Sequence, residues 1–261
     1  MIRNRSADRK QSAGQRRCRP LKVFRRQAES EVWSNTVSTG QIELNGMVMR
    51  TAPAGEYDRR IVLLTRERGK ITAFARGARK PGNALVAATV PFSFGTFRVY
   101  EGKSAYTCVS AEISNYFEGL KTDFEGACYG AYFMEFADYY AQENLDAADM
   151  LNLLYVSLRM LERKDVQNRL VRYAFEVRLM VLGGEFPMDV TQDESLLLAS
   201  RQAFYHMITA PVGRLFSFQV PEEVLEEIAR RQDHIRGKYV DRRFHSLEIL
   251  DTMFKTISNF T

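Results

Sequence analysis

The side chains best able to do chemistry in this chain are cations, and they are concentrated. Arg68, Lys70, Arg76, Arg79 and Lys80 fall between positions 68 and 80, with Glu67 the one acid beside them. Arg59 and Arg60 precede the cluster, and Arg98 follows it among Phe92, Phe94 and Tyr100. Side chains alternate along a strand with period two, so Lys70, Thr72, Phe74 and Arg76 share one face. Cations interleaved with aromatics suit single-stranded nucleic acid: the charges track phosphates and the rings stack on bases. Arg59, Arg60, Lys70, Arg76, Arg79, Lys80 and Arg98 are therefore the candidate nucleic-acid contacts. The same cluster could also be a solvated face.

Bond-making chemistry finds little support. The chain has three histidines, His206, His234 and His245, and none lies in an HExxH or other metal-ligand spacing. There is no P-loop and no GxGxxG, and the Gly77 to Gly82 loop lacks the helix N-terminus that a phosphate cradle requires. His206, among Phe204, Tyr205 and Met207, reads as a structural histidine. The cysteines Cys18, Cys108 and Cys128 are odd in number and far apart, which fits neither a disulfide framework nor a close-spaced zinc motif. A reducing, cytosolic setting suits them. The expectation is no enzyme, no catalytic residue, no cofactor and no metal.

Strands must position the cations. Gln41 to Arg50 alternates and ends before Pro53-Ala-Gly55. Arg60 to Thr65 and Lys70 to Arg76 form a hairpin about Glu67-Arg-Gly69, and Thr89 to Tyr100 pairs with Ser104 to Ser110 across Glu101-Gly102. Five short strands joined by hairpins suggest a small closed barrel of the OB type. Phe74, Phe92, Phe94 and Phe97 are expected to fill it rather than to stack on bases. After Tyr116 the apolar period becomes helical. Helices are expected over 128–140, 151–161 (capped by Asp149), 170–182 (ended by Gly183-Gly184) and 194–209. Two more should open at Pro221 and at Ser246, completing an all-α bundle of about six helices. The fold class is thus α+β, an OB barrel followed by a helical bundle.

Charge divides the chain in the same places. The 261 residues carry +5 overall, of which residues 1–40 hold +7, residues 41–118 hold +4 and residues 119–261 hold −6. The first segment reads as a basic, disordered tail, the second as a nucleic-acid-binding barrel and the third as an acidic bundle suited to protein partners. The tail lacks the apolar stretch of a secretory signal. No run reaches the roughly 18 apolar residues of a membrane span.

The order of these segments resembles the RecO family of bacterial recombination and repair proteins. The resemblance is carried by Glu56-Tyr-Asp-Arg-Arg60, Leu63-Leu-Thr-Arg-Glu-Arg-Gly-Lys70 and Ala75-Arg-Gly-Ala-Arg-Lys80. It continues through Pro91-Phe, Tyr100-Glu-Gly, Ala111-Glu-Ile-Ser, Ala210-Pro-Val-Gly-Arg-Leu-Phe216 and the stretch from Tyr239 to Leu250. It implies a non-enzymatic mediator in the cytoplasm, at the nucleoid. Such a protein binds single- and double-stranded DNA, anneals complementary strands and works with RecR. It also engages the C-terminal tail of single-stranded DNA-binding protein and helps load RecA. By position the resemblance points to Arg59, Arg60, Lys70, Arg76, Arg79 and Lys80 as DNA contacts. Many relatives carry a zinc-binding cysteine cluster just after the helix that here ends at Gly183-Gly184, but Glu185 to Ser200 holds no cysteine, so no structural zinc is expected. The alternative is a protein-interaction scaffold whose barrel does not bind nucleic acid.

Overall fold

The computed structural model describes residues 40–258, with side chains through Met253. The expected tail, residues 1–40, lies outside the described residues except for Gly40. Alternating side chains form five strands: β1 (Gln41–Ala54), β2 (Asp58–Thr65), β3 (Gly69–Ala75), β4 (Phe94–Tyr100) and β5 (Tyr106–Asn115). They close into a barrel in the order β1-β2-β3-β5-β4. Every pairing is antiparallel except β3 with β5, which is parallel. A short helix, α1 (Leu85–Ala88), lies between β3 and β4. The remainder is helical: α2 (Glu118–Lys121), α3 (Phe124–Tyr140), α4 (Ala148–Leu161), α5 (Asn168–Leu182), α6 (Leu198–Thr209), α7 (Glu222–Tyr239) and α8 (His245–Ser258). This is the OB barrel followed by a helical bundle.

Several expected boundaries move. β1 does not stop before Pro53; it runs on to Ala54, with Pro53 opposite Arg59 at the end of the ladder. The strand expected from Thr89 begins only at Phe94. Residues 85–88 are helical instead, and Phe92 takes φ +71°, held by a hydrogen bond from its N–H to the Val48 carbonyl at 3.1 Å. β5 reaches Asn115, not Ser110. α6 begins at Leu198, after a 3-10 turn over Met188–Gln192. Asp149 lies inside the first turn of α4, and Asp146 accepts from the Ala148 N–H instead. Ser246 does not cap α8 but donates to Glu135 of α3 at 2.9 Å.

Two packing layers hold the molecule. The barrel interior is filled by Leu44, Val48, Ile61, Leu63, Ile71, Phe97 and Val99. On its outer wall, Met47, Met49, Val62 and Leu64 join the buried core of the bundle. Each such side chain contributes about 1.5–3 kcal/mol on burial. The barrel and bundle are therefore fastened by a shared core. A β-bulge between Val48 and Arg50 leaves Met49 without a ladder partner. Bulges of this kind re-aim side chains, and here Met49 enters the shared core while Arg50 reaches Asp138 of α3.

Phe92 and Phe94 pack against that shared core rather than inside the barrel, while Phe97 is buried inside it. Phe92 explains Gly130 of α3: a Cβ there would stand 3.0 Å from the Phe92 ring. The bundle interior carries aromatic contacts such as Phe133 stacked on Phe175 at 4.3 Å. It also encloses one polar network. Buried Glu176 accepts from Tyr132 at 2.7 Å, Arg172 at 2.8 Å and Gln232 at 3.1 Å, which ties α3, α5 and α7 together.

Candidate nucleic-acid interface

Four strands present one row of outward side chains. Arg60 of β2 is the register partner of Phe74 of β3, Phe74 of Thr107 of β5, and Thr107 of Tyr100 of β4. Adjacent strands lie about 4.8 Å apart, so the backbones of Phe74 and Tyr100 stand roughly 10 Å from each other, with Arg60 on the strand next to Phe74. Phe74 is 39% exposed and Tyr100 41%, and Arg60 is exposed as well. Among the described residues the Arg60 guanidinium has no hydrogen bond or ion pair.

Two loops at the same end of the barrel are tied into one unit. In the β1–β2 turn and the loop after β3, the Arg79 N–H donates to the Tyr57 carbonyl at 2.8 Å. The Gly77 N–H donates to Asp58 Oδ1 at 2.7 Å, and the Arg79 guanidinium reaches the Gly55 carbonyl at 3.3 Å. Lys80 Nζ sits 5.0 Å over the Tyr57 ring. Ala78 is fully buried and anchors the loop to the barrel interior. Arg76, Arg79 and Lys80 are left exposed on a fixed backbone. The acids bonded into these loops are Glu56, whose hydrogen bond raises the Tyr57 phenol above its ordinary range, and Asp58. With Arg60, the four cations exceed these two carboxylates, and the patch is net positive.

The other three candidates are placed differently. Arg59 points away from this row and donates to the Val86 carbonyl at 2.7 Å and to Thr89 at 3.0 Å, fastening α1 to the barrel. Lys70 turns toward the bundle, where its ammonium meets the Asp138 carbonyl at 2.9 Å and carboxylate at 3.5 Å. Arg98 lies between Glu43 at 2.7 Å and Glu112 at 3.4 Å; the Glu43 hydrogen bond raises its pKa further. Its surroundings carry one net negative charge. The structure thus brings together Arg60, Arg76, Arg79 and Lys80, and separates Arg59, Lys70 and Arg98 from them. Phe74 was expected inside the barrel, yet it stands outside. The period-two reading that put it on the face of Lys70 and Arg76 already contained that signal. Tyr100 joins the row only through the parallel β3–β5 pairing, which no local pattern reveals.

Burial pushes the Cys108 thiol up to about 11. His206 is a structural group, its Nε2 hydrogen-bonded with the Arg214 carbonyl at 3.0 Å. The zinc ion that the family resemblance implies does not fit the residues after α5. No cysteine occurs between Glu185 and Ser200, and among the described residues no group of three or more His, Cys, Asp or Glu is placed to hold a metal. Asp193 instead pairs with Arg231 of α7 at 2.9 Å, and Glu227 accepts from the Leu197 N–H at 2.9 Å. Among the described residues no helix is long and apolar enough to cross a membrane.

Comparison with known proteins agrees with this architecture. Residues 39–117 match the family described as Recombination protein O N terminal, and residues 121–188 match Recombination protein O C terminal. The chain belongs to the RecO family. DNA repair protein RecO of Acetivibrio thermocellus is 26% identical over 243 residues, covering 81% of this chain and 97% of the relative. That of Symbiobacterium thermophilum is 28% identical over 244 residues, covering 80% and 96%. That of Bacillus subtilis is 29% identical over 142 residues, covering 54% and 55%. The first RecO match spans the whole barrel, and the second takes in α3, α4 and α5. The RecO relatives are DNA repair proteins, and this chain is a RecO-family DNA repair protein.

Proposed function

We propose that this protein is a recombination mediator that binds DNA through the outer row of its barrel and acts without chemistry on the strand. The row Arg60–Phe74–Thr107–Tyr100, next to the cross-tied loop bearing Arg76, Arg79 and Lys80, supports the reading. The rings stack on unpaired bases and the four cations neutralise phosphates. Annealing needs no catalytic group: cations screen the repulsion between two strands while bases held by stacking alone remain free to sample register. On this reading the protein anneals complementary strands and, with RecR and the C-terminal tail of single-stranded DNA-binding protein, helps RecA onto coated DNA. Its place is the cytoplasm, at the nucleoid, and the acidic bundle supplies the protein contacts. The test is annealing of two complementary oligonucleotides by the parent and by Arg76→Glu/Arg79→Glu/Lys80→Glu. The parent should accelerate annealing at least tenfold and the variant should not, with an unchanged circular dichroism spectrum. Equal annealing by a folded variant removes the barrel from the function.

A further inference from the structure

Asp138 is a buried carboxylate, 5% exposed, at the junction of barrel and bundle. Three cations meet it: Arg50 Nη2 at 3.3 Å, Lys70 Nζ at 3.5 Å and Arg242 Nη1 at 3.4 Å. One cation would neutralise it, so the junction keeps a surplus of two positive charges. Lys70 is 27% exposed and is also bonded to the Asp138 carbonyl, which makes it the structural partner. Arg50 and Arg242 are 59% and 40% exposed. Each carries five N–H donors, and among the described residues each uses one of them in a hydrogen bond. The nearby acid Asp241 accepts from Tyr139, and exposed Arg243 follows in the same connection.

The junction is continuous with the barrel surface. Arg50 is paired with Val62, and Arg60 stands two residues along β2 on the same face. That spacing separates the Arg50 and Arg60 backbones by about 8 Å. From Arg60 the cations run over Arg50 to Arg242, on the connection between α7 and α8.

We propose that Arg50 and Arg242, oriented by Asp138, form a second phosphate-binding station. The sugar-phosphate backbone of the strand held by the barrel crosses this station onto the bundle. The inference rests on the barrel reading above, and the two fail separately. Asp138 holds both forks in place before the strand arrives, so little side-chain ordering is left to oppose binding.

The test titrates the full chain with a strand of about 8 nucleotides, within the span of a single barrel, and one of about 30. Arg50→Gln and Arg242→Gln each leave two cations on Asp138. Each should lower the log–log salt slope for the long strand by about 0.7 and weaken its binding several-fold. The short strand should bind as to the parent, and Arg50→Lys and Arg242→Lys should restore the slope. Arginine-selective modification of the parent gives a readout that needs no variant: the long strand, unlike the short one, should protect Arg50 and Arg242. Unchanged long-strand slopes together with unprotected arginines overturn the station and leave the barrel reading intact. Loss of all binding to the parent removes the barrel reading, and the station with it.

Discussion

A guanidinium attracts a phosphate only with charge that the protein has not already met. Arg98 and Arg76 make the contrast. Arg98 is flanked by Glu43 and Glu112, whereas Arg76 is exposed and without an ion pair among the described residues. Arg98→Ala is therefore expected to change single-strand affinity less than twofold by fluorescence anisotropy. Phe74→Ala removes a stacking ring and should weaken single-strand binding by about 1–3 kcal/mol, with duplex binding nearly unchanged. The candidate cations were legible in the sequence as a cluster, but their sorting was not. Arg59, Lys70 and Arg98 are turned toward partners distant in the chain: Val86, Asp138 and Glu43. Phe74 misled for a different reason. Small barrels need apolar filling, but the interior is already occupied by Ile71, Ala73 and Ala75 from the same strand.

At the scale of elements, the hairpin between β2 and β3 is more than a turn. The α3–α4 connection lies along it, with the Lys70 N–H on the Gln142 carbonyl at 2.9 Å, Asn144 on Arg68 at 2.9 Å and Ala147 on Arg66 at 3.0 Å. Gly69 makes this approach possible: its φ is +60°, and a Cβ there would stand 2.2 Å from the Gln142 oxygen. Gly69→Ala should lower the urea-unfolding free energy by about 1–3 kcal/mol through backbone strain alone, and by more if the connection is pushed off the hairpin. Strand and helix periodicity revealed most of these elements. The bulge at Met49 and the helix α1 escaped because both depend on tertiary contacts: the turn of Arg50 toward Asp138, and the bonds from Arg59 to Val86 and Thr89. Gly183-Gly184 did mark the end of α5, where Gly184 takes φ +74° and the Glu185 N–H returns to the Met180 carbonyl at 3.0 Å.

At the scale of the whole molecule, a basic barrel and an acidic bundle share one core. Residues 41–118 carry +4 and residues 119–261 carry −6, so of these two parts the barrel is the one whose net charge favours phosphates. The OB barrel and helical bundle were legible from the change of period near Tyr116. How the two halves join was not, because Met47, Met49, Val62 and Leu64 look like any barrel residues until the bundle covers them. The property we propose for the barrel surface is strand binding. It is tested most directly by anisotropy titration of a labelled single strand across a salt series. The parent chain is compared with the Arg76→Glu/Arg79→Glu/Lys80→Glu variant of the same 261 residues, so the basic residues 1–40 are present in both. The parent is expected to bind with a linear log–log salt slope, and the variant to lose at least tenfold in affinity along with about two units of that slope. Identical curves for parent and variant would contradict the claim. They would assign the affinity to another part of the chain and leave the barrel as a scaffold for protein partners.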